Sequence, residues 1–570
     1  MSKCIYICSR EELSYSTGEG LYQICKKIGP DNIIPFEPKV RVTRHVAYGI
    51  VNPKIITLQE VGNSLLMGQI FGKNDRWYQP LEEFPDGSFT LYRDDENLCE
   101  IVSDPAASRT IWYYFDKNIF IASTSQRMMV MFLGRFEFDE RVIPWMLSTG
   151  SLGPDFSWDK RIKRIPPDTS IILNKTQWFI SKKSYPLEFN LVKRSDEQHE
   201  ELLKETLKTT FQLLNIDYSQ WVLPLSGGYD SRGILCLLNR TATNFHNLKT
   251  ITWGLESSLT QKGNDAYIAK ELADALNISH KYYHTDLSEE PIETIINRFI
   301  FAGEGRVDHL ASYMDGFKIW KTLFEEGIQG TIRGDEGFGW NKVSSALSVR
   351  LNIGCCLCTD FANLKDYKKY GFASQTLPEQ LQQLKGETLN VWRDRLYHEY
   401  RLPVVLAALT DLKLSYIEQI NPLLSRKILQ TVRQLPDHLR TQKALFKKIV
   451  RSLGPEVDFA TNVAEASAED ILKDKEMVTL LKKELTSNDA KKLFPAEFLD
   501  FILKDIKTKN QASTAKSTSF SVKSSISSIT PGFIKKAIRK VVLPNIDHNI
   551  LAFRVLLIIK MNHILKDLSK

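Results

Sequence analysis

Eight cysteines in 570 residues, irregularly spaced, make no disulfide framework, so the chain's stability must come from packed interiors. Cys355, Cys356 and Cys358 stand close together, but no matching pair elsewhere gives them zinc-ligand spacing, and they read as small buried hydrophobes. No apolar run reaches the length of a membrane span, and no opening segment has the layout of a leader, so the expected location is the cytoplasm. A large excess of one charge is missing too: the net charge of +7 is spread along the chain and requires no nucleic acid as partner. Nothing repeats at a fixed period. Two widespread phosphate-binding signatures are absent, since no Gly-Lys-Ser/Thr follows a glycine loop at Walker A spacing and there is no G-x-G-x-x-G.

What is present is VLPLSGGYDSRGIL, from Val222 to Leu235. Gln220 to Leu225 reads as a short apolar strand, and Ile234, Leu235, Leu237 and Leu238 fall as they would on a helix packed against a sheet. Between them, Gly227 and Gly228 are expected to take backbone conformations closed to other residues, turning successive N–H groups toward phosphate oxygens. The helix after them adds its positive end, and Ser226 and Ser231 add hydroxyl donors. Asp230 is a carboxylate beside an anion site, which requires a metal ion or a proton between the two charges; Mg²⁺ is the expected ion.

On these residues the segment resembles the N-type ATP pyrophosphatases, whose loop is SGGxDS, and TIRGDEGFGW (Thr331 to Trp340) is similar to the second signature of the asparagine synthetase superfamily. The resemblance implies ATP and Mg²⁺ as cofactors. It assigns Asp230 and Asp335 to Mg²⁺, Ser226, Gly227, Gly228, Asp230, Ser231 and Gly334 to ATP and its pyrophosphate, and backbone around Trp253 and Gly254 to adenine. INPLLSRKILQTVRQLPDHLRTQKALFKKIVRSLGP (Ile420 to Pro455) is similar to the family's later segment, which makes Lys447 an expected catalytic residue beside Glu336 of the second signature. Ile332 stands where the family carries a glutamate, and DFATNVAEAS (Asp458 to Ser467) lacks the family's lysine, leaving Glu304, Asp308 and His309 as candidate substitutes.

The first 190 residues are rich in short strand patterns separated by turns, and from about residue 195 helices alternate with apolar strands, as in a parallel sheet. PDGSFTLY, DPAASRTIWYY and IFIASTSQRMMVMF resemble, in order and spacing, the glutaminase domain of asparagine synthetases. The implied fold class is α/β: an antiparallel β-rich, Ntn-hydrolase-like (αββα) domain over 1–190, then an adenine nucleotide alpha hydrolase-like (HUP) synthetase domain over 195–505 with a helical C-terminal part. A Ser/Thr/Lys-rich linker is expected over 506–530 and a basic amphipathic helical tail over 531–570, packed on its own domain or meeting a second copy or an acidic partner. A glutaminase of this type needs a cysteine at position two, whose thiol attacks the amide. Ser2 is there instead, so no N-terminal nucleophile is expected.

The implied activity is an ATP-dependent carbon–nitrogen ligase of the asparagine synthase type. It would activate a small-molecule or peptide carboxylate as an acyl-adenylate, releasing pyrophosphate, for attack by ammonia or a substrate amine. The alternatives are a lasso-peptide or β-lactam type cyclase, a glutamine-dependent asparagine synthase, and a nucleotide-binding pseudoenzyme scaffold.

Overall fold

The computed structural model describes residues 3–55, 57–285, 288–509 and 543–570. In chain order the N-terminal strands are β1 (Cys4–Ser9), β2 (Lys39–Val42), β3 (Val46–Ile50), β4 (Leu58–Val61), β5 (Ser64–Ile70), β6 (Gly87–Asp94), β7 (Leu98–Ser103), β8 (Trp112–Phe115), β9 (Ile119–Ser123), β10 (Lys163–Arg164), β11 (Thr169–Asn174) and β12 (Phe179–Ser184). They form two antiparallel six-stranded sheets, in the orders β10-β8-β9-β1-β3-β2 and β12-β11-β7-β6-β5-β4.

Period-two alternation assigns each strand residue to a layer. In β1, Cys4, Tyr6 and Cys8 face the second sheet, where they meet Met67, Tyr92, Cys99 and Ile101. Ile5 and Ile7 point the other way, onto a helical layer that includes Leu21, Cys25 and Met128. On the outer face of the second sheet, Leu66, Phe89, Leu91 and Val102 are covered by Trp77 and Phe84, which belong to a turn-rich segment rather than a helix.

The second half carries the parallel sheet: β13 (Trp221–Pro224), β14 (Lys249–Gly254), β15 (His280–His284), β16 (Gly330–Ile332) and β17 (Glu418–Ile420), in the order β15-β14-β13-β16-β17. Val222 of β13 pairs with Lys249 on one side and Thr331 on the other. The strand that feeds the first signature therefore lies beside the strand that feeds the second, although more than a hundred residues separate them.

The two halves are tied by charge. Asp86 of the PDGSF turn accepts from Ser425 Oγ (2.6 Å) and Arg426 N (2.8 Å), capping helix Arg426–Arg433 from the other domain. Lys3 and Arg306 meet the buried carboxylate of Asp411, and Arg306 also donates to Thr110 Oγ1 at 2.6 Å.

The tail differs from expectation. The amphipathic run Phe533–Val542 and residues 510–530 of the expected linker lie outside the described residues, as does Ser2. The chain ends in helix His548–Leu568, which is apolar around most of its circumference and inserted in the core beside Trp145 and Met477. This helix is long and apolar enough to cross a membrane by length and composition, contrary to the expectation that no apolar run reaches that length, yet 67% of the window is buried inside the protein. Each fully buried Leu or Ile there contributes roughly 2 kcal/mol, and Arg554 anchors the helix through Asp308 (2.7 Å) and the carbonyl of Leu147 (2.7 Å).

Candidate active site

β13 ends at Pro224, and the chain turns through Ser226, Gly227 and Gly228 into helix Tyr229–Thr241. The turn is held by its own serines: Ser226 N donates to Ser231 Oγ (3.0 Å), and Gly228 N donates to Ser226 Oγ (3.2 Å). No side chain caps the helix, so its first N–H groups remain available to an anion, at the carboxyl ends of the parallel strands.

The glycines act differently from expectation. Neither Gly227 nor Gly228 has a positive φ; Gly228 sits at φ −83° and ψ −179°. Gly227 is needed for close approach, because a Cβ there would lie 2.4 Å from Ala460 Cβ and 2.9 Å from Ile268 Cβ. Gly334 has the same function between the signatures: its Cβ would lie 3.2 Å from Ser231 N and 3.3 Å from Asp230 Cβ. Bare backbone is what lets the second signature touch the first.

At that contact stands a lysine that no sequence motif singles out. Lys443 Nζ lies 2.9 and 2.7 Å from the two carboxylate oxygens of Asp230 and 2.9 Å from Glu336 Oε1. It is held there by strained backbone: Gln442 (φ 59°) and Lys443 (φ 58°) are consecutive non-glycine residues in the left-handed region. Gln442 N donates to the carbonyl of Trp340 (2.8 Å), which secures the turn. Lys447 lies one helical turn further on, with its ammonium 5.1 Å from the centre of the Tyr229 ring. The helix that carries Lys447 begins only after Lys443.

Burial pushes the Glu336 carboxyl up to about 7, with Lys443 opposing and Asp230 adding to the rise. For Lys443, burial alone would lower the ammonium, but Glu336 and Asp230 outweigh it and hold it above its ordinary value. Asp335 pairs loosely with Arg333 (3.5 Å), whose Nε is enclosed without a hydrogen-bond partner. His398 supports the second signature from behind. Burial, reinforced by Arg433, holds it down at about 3, so the neutral ring donates from Nε2 to the carbonyl of Gly337 (2.9 Å) and accepts from Arg433 at Nδ1 (3.3 Å).

Asp230, Arg333 and Asp335 border a cavity of about 350 Å³ whose walls also include Ser226, Ser231, Trp253 and Glu465. A strap, residues 457–466, closes its side. Ala460 N donates to the carbonyl of Gly227 (3.0 Å), Leu255 N to that of Ala464 (2.9 Å), and Trp253 Nε1 to the Glu465 carboxylate. The Phe459 ring stacks on Tyr229 at 3.9 Å, with the Arg232 guanidinium 3.8 Å from its centre. Gly254 is small for the same reason as Gly227: a Cβ would come within 2.5 Å of Ala464.

Asp230 and Asp335, both on this cavity, supply hard oxygen donors of the type that holds Mg²⁺ alongside phosphate oxygens, so the residues fit that ion. Between Asp230 and its carboxylate neighbour Glu336 stands the ammonium of Lys443.

The candidate substitutes lie elsewhere. Glu304 is buried at the domain interface, accepting from Ser125 Oγ and Gln126 N (2.9 Å) and facing Arg127 at 3.6 Å. Asp308 pairs with His309 (3.1 Å) and Arg554; burial raises its carboxyl, but these partners outweigh it and bring it down to about 2. Cys355, Cys356 and Cys358 are buried thiols, as expected. Cys4 is fully buried, and burial lifts its thiol well above the ordinary value, the opposite of an activated nucleophile.

Residues 220–313, which contain the first signature and β14, match the sequence model of the family described as asparagine synthase. Over that segment the chain is similar to asparagine synthases. No match is found among curated proteins. Among solved structures, it is similar to one described as the allosteric regulatory enzyme of purine biosynthesis, at 11% identity and TM-score 0.21, covering 39% of this chain and 60% of that one. It is also similar to the U34-tRNA thiolase NcsA from Methanococcus maripaludis with its 4Fe-4S cluster, at 17% identity and TM-score 0.20, covering 45% of this chain and 73% of that one. The chain thus spans less than two thirds of the first of these.

Proposed function

We propose that the chain is an ATP-dependent amide-forming ligase that adenylates a carboxylate and passes the acyl group to ammonia or to an amine on the substrate. The observation that carries this reading is Lys443 held between Asp230 and Glu336, where the two signatures meet beside an uncapped helix N-terminus. Such a constellation is suited to a polyphosphate: the helix N–H groups and the hydroxyls of Ser226 and Ser231 offer donors, and Lys443 offers a cation.

In the reaction, a substrate carboxylate oxygen attacks the α-phosphorus of ATP, the bond to the β-phosphate oxygen breaks, and pyrophosphate leaves. An amine nitrogen then attacks the acyl carbon, AMP leaves, and the amine gives up a proton. Lys443 neutralises charge as it collects on pyrophosphate, and Trp253 and the strap shield the activated ester from water. Mg²⁺ held by Asp230 and Asp335 would supply further charge neutralisation on the phosphate oxygens.

Ammonia or an acceptor amine fits better than glutamine as the nitrogen source, because β1 buries Cys4 and binds Lys3 to Asp411 at the interface. The test is pyrophosphate release by the full chain with ATP and a panel of amino acids and carboxyl-terminal peptides, each with ammonium or with glutamine. Release that needs a carboxylate and ammonium supports the reading. ATP binding without release under every condition overturns it in favour of a scaffold, and release driven by glutamine overturns the choice of nitrogen source.

A further inference from the structure

Far from the cavity, the N-terminal sandwich gathers a second set of ligand-type side chains. In the β6–β7 hairpin, Asp94 stands directly opposite Cys99, so the two side chains project together into the sandwich. Cys8, near the end of β1, reaches the same place from the other sheet. One sulfur from each cysteine and one oxygen of Asp94 all lie within 4.8 Å of one another, the one group of its kind among the described residues. Cys8 Sγ is 3.9 Å from Asp94 Oδ1.

Tetrahedral zinc with sulfur at about 2.3 Å requires sulfurs about 3.8 Å apart, so the group would close by about an ångström at most. Asn63 Nδ2 donates to the second carboxylate oxygen (3.2 Å), the kind of outer contact that orients a ligating carboxylate. A positive charge is already in place: Lys175 Nζ lies 2.7 Å from Asp94 Oδ1. Lys175 comes from the β11–β12 turn and is 18% exposed, so it can swing outward without disturbing the core.

We propose that Cys8, Asp94 and Cys99 form a three-ligand site for a thiophilic divalent cation of the zinc class, pinning the two sheets together, with Lys175 serving as the counter-charge when no metal is bound. Two sulfurs and one carboxylate select zinc or cadmium over magnesium, and water completes the fourth position. Each ion that binds displaces two thiol protons and takes over from Lys175 as the local cation, so that the ammonium turns outward to solvent. The site stands apart from the proposed ligase activity and does not depend on it.

The test uses the full-length protein kept reduced and titrated with Cd²⁺ and then Zn²⁺. The expected result is one ion per chain, a thiolate-to-cadmium charge-transfer band, and release of two protons. Cys8→Ser and Cys99→Ser should each abolish the band, with circular dichroism verifying the fold. Lys175→Met should tighten binding about tenfold by removing a competing cation, a gain that misfolding cannot produce. A missing band, or one that survives the Cys8→Ser, Cys99→Ser double replacement, overturns the proposal.

Discussion

Two clusters of buried charge use the same residue types to opposite ends. At the domain interface, Lys3, Arg306 and Asp411, together with Arg554 and Asp308, are packed among their own partners, and strong cations hold Asp308 ionised. At the signatures, Asp230 lines an open cavity and pairs with Lys443, whose other partner Glu336 is buried and pushed by that burial toward its neutral form. A sealed cluster is finished by its own partners, whereas one beside a cavity keeps charge in reserve for a ligand.

That contrast can be broken by mutation. Asp411→Ala removes the buried carboxylate shared by Lys3 and Arg306, which are 1% and 4% exposed, and should cost about 3–5 kcal/mol of stability in denaturant unfolding. Lys443→Met should leave unfolding nearly unchanged but lower pyrophosphate release about 100-fold or more, the scale of losing a transition-state charge contact. If Lys443→Met unfolds the protein instead, the signature cluster is structural like the other.

The two clusters should also respond to pH in opposite directions. Glu336, raised to about 7, favours the folded ligand-free protein below its unfolded value near 4.5, and that contribution is lost as pH rises through 7. The span corresponds to about 3 kcal/mol, and Glu336→Gln should flatten it. Asp308, lowered to about 2, contributes above its unfolded value near 3.9 and loses that contribution as pH falls toward 2, a span of about 2 kcal/mol that Asp308→Asn should remove. Unfolding free energies measured across pH for wild type and both variants check the two signs. The smallest effect expected is that of Lys447→Ala, less than about twofold on pyrophosphate release, because its ammonium faces the Tyr229 ring.

Much of the architecture was legible. Short apolar runs such as SLLMGQIFG and IFIASTS, set between turns, marked the N-terminal strands, and the change of pattern near residue 195 marked the parallel sheet. That the two signatures belong to one site was legible from their shared resemblance, and the structure sets Gly334 of the second against Asp230 and Ser231 of the first. Why the glycines are there was not legible: Gly227 and Gly254 make room for Ala460 and Ala464, more than two hundred residues away. Nor was Lys443, since helical spacing cannot register a lysine placed by two left-handed residues. Glu304, Asp308 and His309 looked available as bases until their partners Ser125, Arg127 and Arg554 came from distant segments.

By itself the sequence determined the local matter: which stretches form strands and where a helix must succeed a bare glycine turn. These arise from short-range sterics and periodicity, which a few neighbours settle. Only the tertiary structure decided which lysine stands between Asp230 and Glu336, and that the last helix is core. Such outcomes depend on the charge and volume that the fold brings to a point from unrelated parts of the chain, and a linear pattern carries no record of those distances.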